Sequence, residues 1–302
     1  AMRNKNERQV FLTGDPTQVL NGSGFGWRMP KAVFYHRDWE VPDPYTLKRS
    51  FRAGAPLLRL SQGLATLLRK EKAQVVPLDP EKARQSGPTP KRTCPDTAVD
   101  EILSKEHPDL LVLVEDDQTA RELRERWGHP FVWSIAEAKG LEADHVVMYQ
   151  LTDTLEDVSP MSTDAQKASA RQWNQRVLRT HYVGATRARH SITVVVDPDE
   201  ESSVWDRQEV RDNVNQVERF RPVWTENETQ KKWRKRASYY RDREQWGQAA
   251  ECYRNTELKD WAMVCQWIAD PSTPPRLATI RNQTGEFSSE QARVLLECKH
   301  SI

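Results

Sequence analysis

Five stretches of the chain carry apolar runs of strand length. Residues 8–13 (Arg-Gln-Val-Phe-Leu-Thr), Leu110–Val114, Phe131–Ile135 and His145–Tyr149 each read as a short buried strand, and Ile192–Val196 reads as another. Gln74–Leu78 adds a weaker one, and residues 31–36 fit a strand or a short helix. Between the strands the apolar period changes to that of a helix. Leu57, Leu58, Leu60, Leu64, Leu67 and Leu68 fall on one helical face within Leu47–Arg69. Ala120, Leu123 and Trp127 do the same within Gln118–Trp127, and Gln166–Arg179 reads as a third helix that leads into Tyr182. Residues 79–98 and 152–166 are polar and read as loops, the second on the surface.

The alternation of strand and helix with short links predicts an α/β fold, a parallel sheet flanked by helices in βαβ units. After Asp197-Pro198 the strand signals stop. Residues 201–270 are helical and tryptophan-rich. Trp233, Ala237, Tyr240, Trp246, Ala249, Ala250, Cys252 and Tyr253 fit a helix pair with small residues at the contact. Ala262, Cys265 and Trp267 open a third helix, so the region resembles a tetratricopeptide-type hairpin. Phe287–Cys298 has the pattern of an amphipathic helix.

Composition narrows the class. The chain has 302 residues, with 29% charged and 37% hydrophobic, a globular profile long enough for two domains. A net charge of +1 gives no overall field for nucleic acid, so any such contact needs a local patch. No apolar run is long enough to span a bilayer, which predicts no membrane partner. The four cysteines, Cys94, Cys252, Cys265 and Cys298, are scattered without metal or disulfide spacing. That predicts a reducing intracellular compartment, nuclear or cytoplasmic. The seven histidines show no metal spacing and read as structural, so no metal ligand is assigned.

The chemistry concentrates at strand ends, where parallel α/β sheets build ligand sites. Ser134-Ile135-Ala136-Glu137-Ala138-Lys139-Gly140-Leu141-Glu142 precedes one strand, and Tyr182-Val183-Gly184-Ala185-Thr186-Arg187-Ala188-Arg189 precedes another. Arg187 can present a bidentate fork to a phosphate. Gly14-Asp15-Pro16-Thr17-Gln18 is a polar turn after the first strand. Glycines 22, 24 and 26 do not have dinucleotide-fingerprint spacing; their loop presents Phe25 and Trp27. Lys231-Lys232-Trp233-Arg234-Lys235-Arg236 is a basic run with an aromatic, the composition of a nucleic-acid patch or of a solvated helix face.

These motifs together resemble the UvrD/Rep branch of superfamily 1 helicases. Gly14–Gln18 is similar to motif III and Ser50-Phe51-Arg52 to motif IV. Ser134–Glu142 is similar to motif V and Tyr182–Ala188 to motif VI. The Glu-Ala-Lys-Gly-Leu-Glu form, the Gly-rich loop and the helical tail resemble eukaryotic UvrD-like helicases with tetratricopeptide and ankyrin repeats. The resemblance covers residues 8–196. It implies a RecA-like α/β fold divided as 1–42 (end of a first RecA-like domain), 43–199 (second RecA-like domain) and 200–302 (helical extension).

By that resemblance the cofactors are ATP and Mg. Gln18 would sense the γ-phosphate or its attacking water. Arg52 and Arg187 would act as arginine fingers on the γ-phosphate. Phe51 would stack on adenine, Gly140 would give a backbone contact near the phosphates, and Glu142 would accept from the ribose. Phe25, Trp27 and Ser134 would meet single-stranded nucleic acid, DNA or RNA. The sequence holds no Gly-x-x-x-x-Gly-Lys-[Ser/Thr] and no Walker B pair. The phosphate cradle and Mg ligands are therefore expected on a first RecA-like domain outside this chain, leaving the chain inactive alone. Motif V carries Ala136 where UvrD relatives have a nucleic-acid-contacting His, and no insertion separates Arg126 from Phe131. The alternative is a degenerate helicase-like module whose helical tail binds a protein partner.

Overall fold

The computed structural model describes residues 14–18, 20, 32, 53–75, 79–82, 86–197, 203–224 and 230–270. Residues 8–13, the Phe25/Trp27 loop, Phe51, Arg52 and the helix expected at 287–298 lie outside the described residues.

The fold is α/β. Among the described residues six strands run parallel in one sheet: β1 (Lys91–Thr93), β2 (Leu110–Val114), β3 (Val132–Ser134), β4 (Ala143–Tyr149), β5 (Ala188–Val195) and β6 (Asn215–Gln216), in the order β3-β2-β4-β5-β1-β6. All five residues of β2 are buried, as expected of a central parallel strand covered on both faces. The period-2 alternation assigns each side chain to a face. Leu111, Leu113, Val146 and Met148 join one apolar cluster; Leu110, Val112, Val114, Val147 and Tyr149 join the other.

The second cluster is closed by α2 (Thr97–Leu103) and α3 (Asp117–Trp127), through Val99, Leu103, Ala120, Leu123 and Trp127. α3 starts at an Asp116 cap whose carboxylate accepts from the Thr119 N–H at 2.8 Å. It stops at Gly128, in the left-handed region at φ 75°. The first cluster is closed by α1 (Ala55–Lys70) and α4 (Asp164–Ala185). α4 opens on a capping box formed by Thr163 and Gln166.

Five expectations are corrected. Residues 79–98 are not all loop, because β1 and the start of α2 lie within them. β1 reads Lys-Arg-Thr and has no apolar alternation; it is a strand because β5 and β6 pair with it on either side. The sheet does not stop at residue 198, since the polar pair Asn215–Gln216 forms β6 at its edge. Residues 152–166 do not simply lie on the surface. Asp153 and Leu155 are buried, and the Asp153 carboxylate accepts from the Ser203 hydroxyl. α4 runs past Arg179 to Ala185, because Val177, Leu178, Tyr182, Val183 and Ala185 keep its buried face continuous. Within 74–78, the described Gln74 and Val75 form no strand.

The later residues form helices at the positions expected for a helix pair and a third helix. α5 (Gln208–Arg211) is one short turn; α6 (Gln230–Arg241), α7 (Trp246–Arg254) and α8 (Lys259–Ala269) pack in sequence. Ala249 and Ala250 are fully buried at the contact. These helices share the first cluster with the sheet. Tyr240 stacks on Trp133 at 5.9 Å, and Trp233 meets Phe131 at 6.2 Å. Among the described residues no helix is long and apolar enough to cross a membrane, and Cys94, Cys252 and Cys265 are free thiols.

His181, on the buried end of α4, is wholly enclosed, and burial pushes its pKa down to about 4. Its Nδ1 bonds the Val177 carbonyl at 2.9 Å, and its ring meets Trp205 edge-on at 5.1 Å. Unfolding frees an imidazole of ordinary pKa, so the unfolded state binds the extra proton. The contribution of neutral burial is complete above about pH 6.5 and is lost as pH falls towards 4, at up to about 1.4 kcal/mol per pH unit. Urea unfolding of wild type and His181→Gln should therefore show a gap in stability that narrows across that window.

Candidate functional site

The site is built where α4 hands over to β5 and where the loop after β3 enters β4. α4 ends at Ala185, and Thr186 caps it with its N–H on the Tyr182 carbonyl. Arg187 follows and is 5% exposed. Its Nε donates to the Val183 carbonyl at 3.2 Å, and its Nη1 to the Leu141 carbonyl at 3.4 Å. Its Nη2 donates to Gln18 Oε1 at 2.9 Å and to the Thr186 hydroxyl at 3.1 Å. All four of these acceptors are neutral oxygens. These contacts meet the hydrogen-bonding needs of a buried guanidinium.

Gln18 comes from the far end of the chain. Pro16–Gln18 forms a short 3-10 turn with Pro16 and Thr17 buried. Asp15 organises it: its carboxylate accepts from the Thr17 N–H at 2.9 Å and from Gln18 Nε2 at 3.0 Å. Gln18 is thus oriented with its carbonyl oxygen on Arg187. The sequence reading singled out Gln18 and Arg187, which are 169 residues apart, and the fold brings them into direct contact.

The loop after β3 supplies the second wall. Ser134 is fully buried, its hydroxyl accepts from the Glu137 N–H at 3.1 Å, and the Glu137 carboxylate accepts from Arg124 at 2.7 Å. Ser134 therefore caps a turn. Lys139 and Gly140 are exposed. Gly140 sits at φ +90°, with nothing within 4 Å of where a Cβ would be. A side chain there is excluded by backbone conformation, not by space. The Glu142 backbone is held on both sides: its N–H donates to the Tyr239 hydroxyl at 2.7 Å, and its carbonyl accepts from Arg236 at 2.7 Å. Ala143 then starts β4, its N–H on the Arg187 carbonyl at 3.1 Å.

Gln18, Arg187 and the Gly140–Glu142 loop thus form one constellation. Phe51, Arg52, Phe25 and Trp27 lie outside the described residues. Asp15, Arg236 and Tyr239 were not singled out. The signal for Arg236 was present: it shares a buried helical stripe with Trp233, Ala237 and Tyr240, where a basic side chain needs a partner. Among the described residues no cluster of His, Cys, Asp and Glu side chains is arranged to hold a metal.

No family model matches the chain, and no curated protein matches it. Among solved structures it is similar to the C-terminal domain of a possible DNA helicase from Lactobacillus plantarum WCFS1. That likeness has 14% identity and a TM-score of 0.34, over 55% of this chain and 98% of the other. A likeness of that size defines neither family nor activity.

Proposed function

We propose that the chain supplies the second-lobe half of a nucleotide site in an ATP-dependent, superfamily 1-type nucleic-acid translocase. The observation that carries this reading is the Gln18–Arg187 hydrogen bond at 2.9 Å, made by a buried arginine immediately before the first residue of β5. Phosphoryl transfer needs a preorganised cation where charge gathers on the transferring oxygens, and a polar amide that can orient water. Gln18 Oε1 is a neutral acceptor on the guanidinium. A phosphate oxygen in its place would make the stronger, charge-assisted bond. The exchange would release the Gln18 carbonyl to accept from the attacking water.

Gly140 fits the same site, because an exposed backbone without a Cβ lets a phosphate approach. ATP is the nucleotide proposed, with Mg held by groups of a first RecA-like domain outside this chain. Arg52 and Phe51 are proposed to complete the phosphate and base contacts, and Glu142 to accept from the ribose. Single-stranded DNA or RNA is the proposed track, met by Phe25 and Trp27, with a RecA-like first domain as the partner that closes the site. Ser134 contributes to that track only through the turn it caps.

The test is phosphate release from ATP by the longest natural form of the protein, with and without single-stranded oligonucleotides. The reading predicts turnover that rises with the oligonucleotide. Absence of turnover with both DNA and RNA would contradict it and favour an interaction module acting through the helical tail.

A further inference from the structure

Leu141 and Glu142 span the gap between the turn at Gly140 and the first residue of β4. They are gripped from two directions. The Leu141 carbonyl accepts from Arg187 at 3.4 Å, on the side of the candidate site. The Glu142 N–H and carbonyl are taken by Tyr239 and Arg236, each at 2.7 Å, from α6 of the helical extension. Those contacts bridge 97 and 94 residues of sequence. One chain of hydrogen bonds therefore runs from Gln18 through Arg187 to the loop, and from the loop into α6.

The grip is anchored in the core. Arg236 is 3% exposed. Its guanidinium lies 4.5 Å from the Tyr239 ring and 4.6 Å from the Tyr240 ring, and it donates to the Tyr240 hydroxyl at 3.1 Å. Tyr240 in turn stacks on Trp133 of β3. Tyr239 is held on its other contact by Arg243, at 3.8 Å from the ring. Burying an arginine is a costly way to fill space, since an apolar side chain does that without desolvating a charge. What the arginine adds is direction: a rigid fork with one arm on the Glu142 carbonyl and another on Tyr240.

We infer that Arg236 and Tyr239 are positioning residues for the nucleotide site, and that α6 sets the conformation of the Gly140–Glu142 loop and through it the pose of Arg187. The helical extension is then a control element of the site, not an appendage. This inference rests on the function proposed above. It implies that a displacement of α6 would change turnover without any contact to the nucleotide.

Tyr239→Phe is the cleanest variant, because it keeps the ring beneath Arg236 and Arg243 and removes one acceptor. Arg236→Met keeps apolar volume and removes the fork. Lys235→Ala, at an exposed position of the same helix, is the control. Two readouts are needed. In this chain, hydrogen exchange at the Glu142 amide should quicken roughly five-fold in Tyr239→Phe, the effect of losing one neutral hydrogen bond, with β2 and β4 amides unchanged. In the longest natural form, kcat should fall about three- to ten-fold in Tyr239→Phe, and further in Arg236→Met, with KM for ATP unchanged. Lys235→Ala should match wild type in both. A merely structural role would lower thermal stability without this kcat-specific loss. Normal kcat in both variants beside an active wild type overturns this inference alone. A wild type without turnover overturns the functional reading and this inference with it.

Discussion

Replacing Arg187 with alanine is expected to slow nucleic-acid-stimulated ATP turnover about a thousand-fold while leaving ATP binding within a few-fold of wild type. The split follows from where the charge is needed. On the function proposed above, a phosphate cradle and Mg of another lobe would neutralise the phosphate end in the ground state. The guanidinium becomes most valuable when charge gathers on the transferring oxygens. Arg187→Lys should recover little. Arg187 is held by Val183, Leu141, Thr186 and Gln18 through three nitrogens in a fixed plane, which one ammonium cannot reproduce. Steady-state kinetics of the longest natural form, with nucleotide binding measured separately, would check both variants. A comparable fall in binding would instead mean that Arg187 holds nucleotide uniformly. Unaltered turnover would place the phosphate elsewhere.

Gly63→Ala should be among the most destabilising single-methyl additions to the fold. Gly63 lies mid-way along α1, where alanine would ordinarily add about 1 kcal/mol of helix propensity. Here a Cβ would stand 2.1 Å from the Glu209 carbonyl oxygen and 2.9 Å from its carbon. The obstacle is backbone and cannot rotate away. α5 must move off α1, taking with it fully buried Val210 and the Lys70–Glu209 ion pair. The net loss expected is about 3 kcal/mol, at the upper end of overpacking costs. The midpoint of thermal unfolding should fall by roughly 6–12 °C. Gly184→Ala makes a useful contrast. Its Cβ would meet Met148 Sδ at 2.6 Å, but that thioether end is flexible, and the cost should be smaller.

Much of this architecture was legible in the sequence. Leu110–Val114 announced itself, since five consecutive apolar residues have few homes but a strand covered on both faces. β1 and β6 were silent for the opposite reason. Lys91–Thr93 and Asn215–Gln216 are polar, and only the neighbours that pair with them make them strands. The end of α4 was misplaced because Tyr182-Val183-Gly184-Ala185 resembles a motif and was not read as a continuation of the helix.

The site divides in the same way. Arg187 stood out by residue type and context and Gln18 only through the motif resemblance, and the two meet in the fold. Arg236 was read within a charge run, yet it is the run's buried basic member, while Lys231, Lys232, Arg234 and Lys235 are exposed. Periodicity separates these positions more sharply than charge counting does. The helical extension read as a separate repeat-like tail, whereas Trp233 and Tyr240 close the same core as the sheet strands. No local pattern carries that docking, because it depends on the shapes of Phe131 and Trp133 in another element.

The central claim is that Arg187 acts on the transferring phosphate. The most direct measurement is trapping of ADP with aluminium fluoride by the longest natural form on a single-stranded oligonucleotide, in wild type and Arg187→Ala. Planar fluoroaluminate mimics the transferring phosphoryl, so its retention reports the interaction that matters in the transition state. The account predicts that wild type retains the ADP–fluoroaluminate complex, while Arg187→Ala binds ADP and fails to retain the fluoroaluminate. Equal trapping by the two proteins would contradict it.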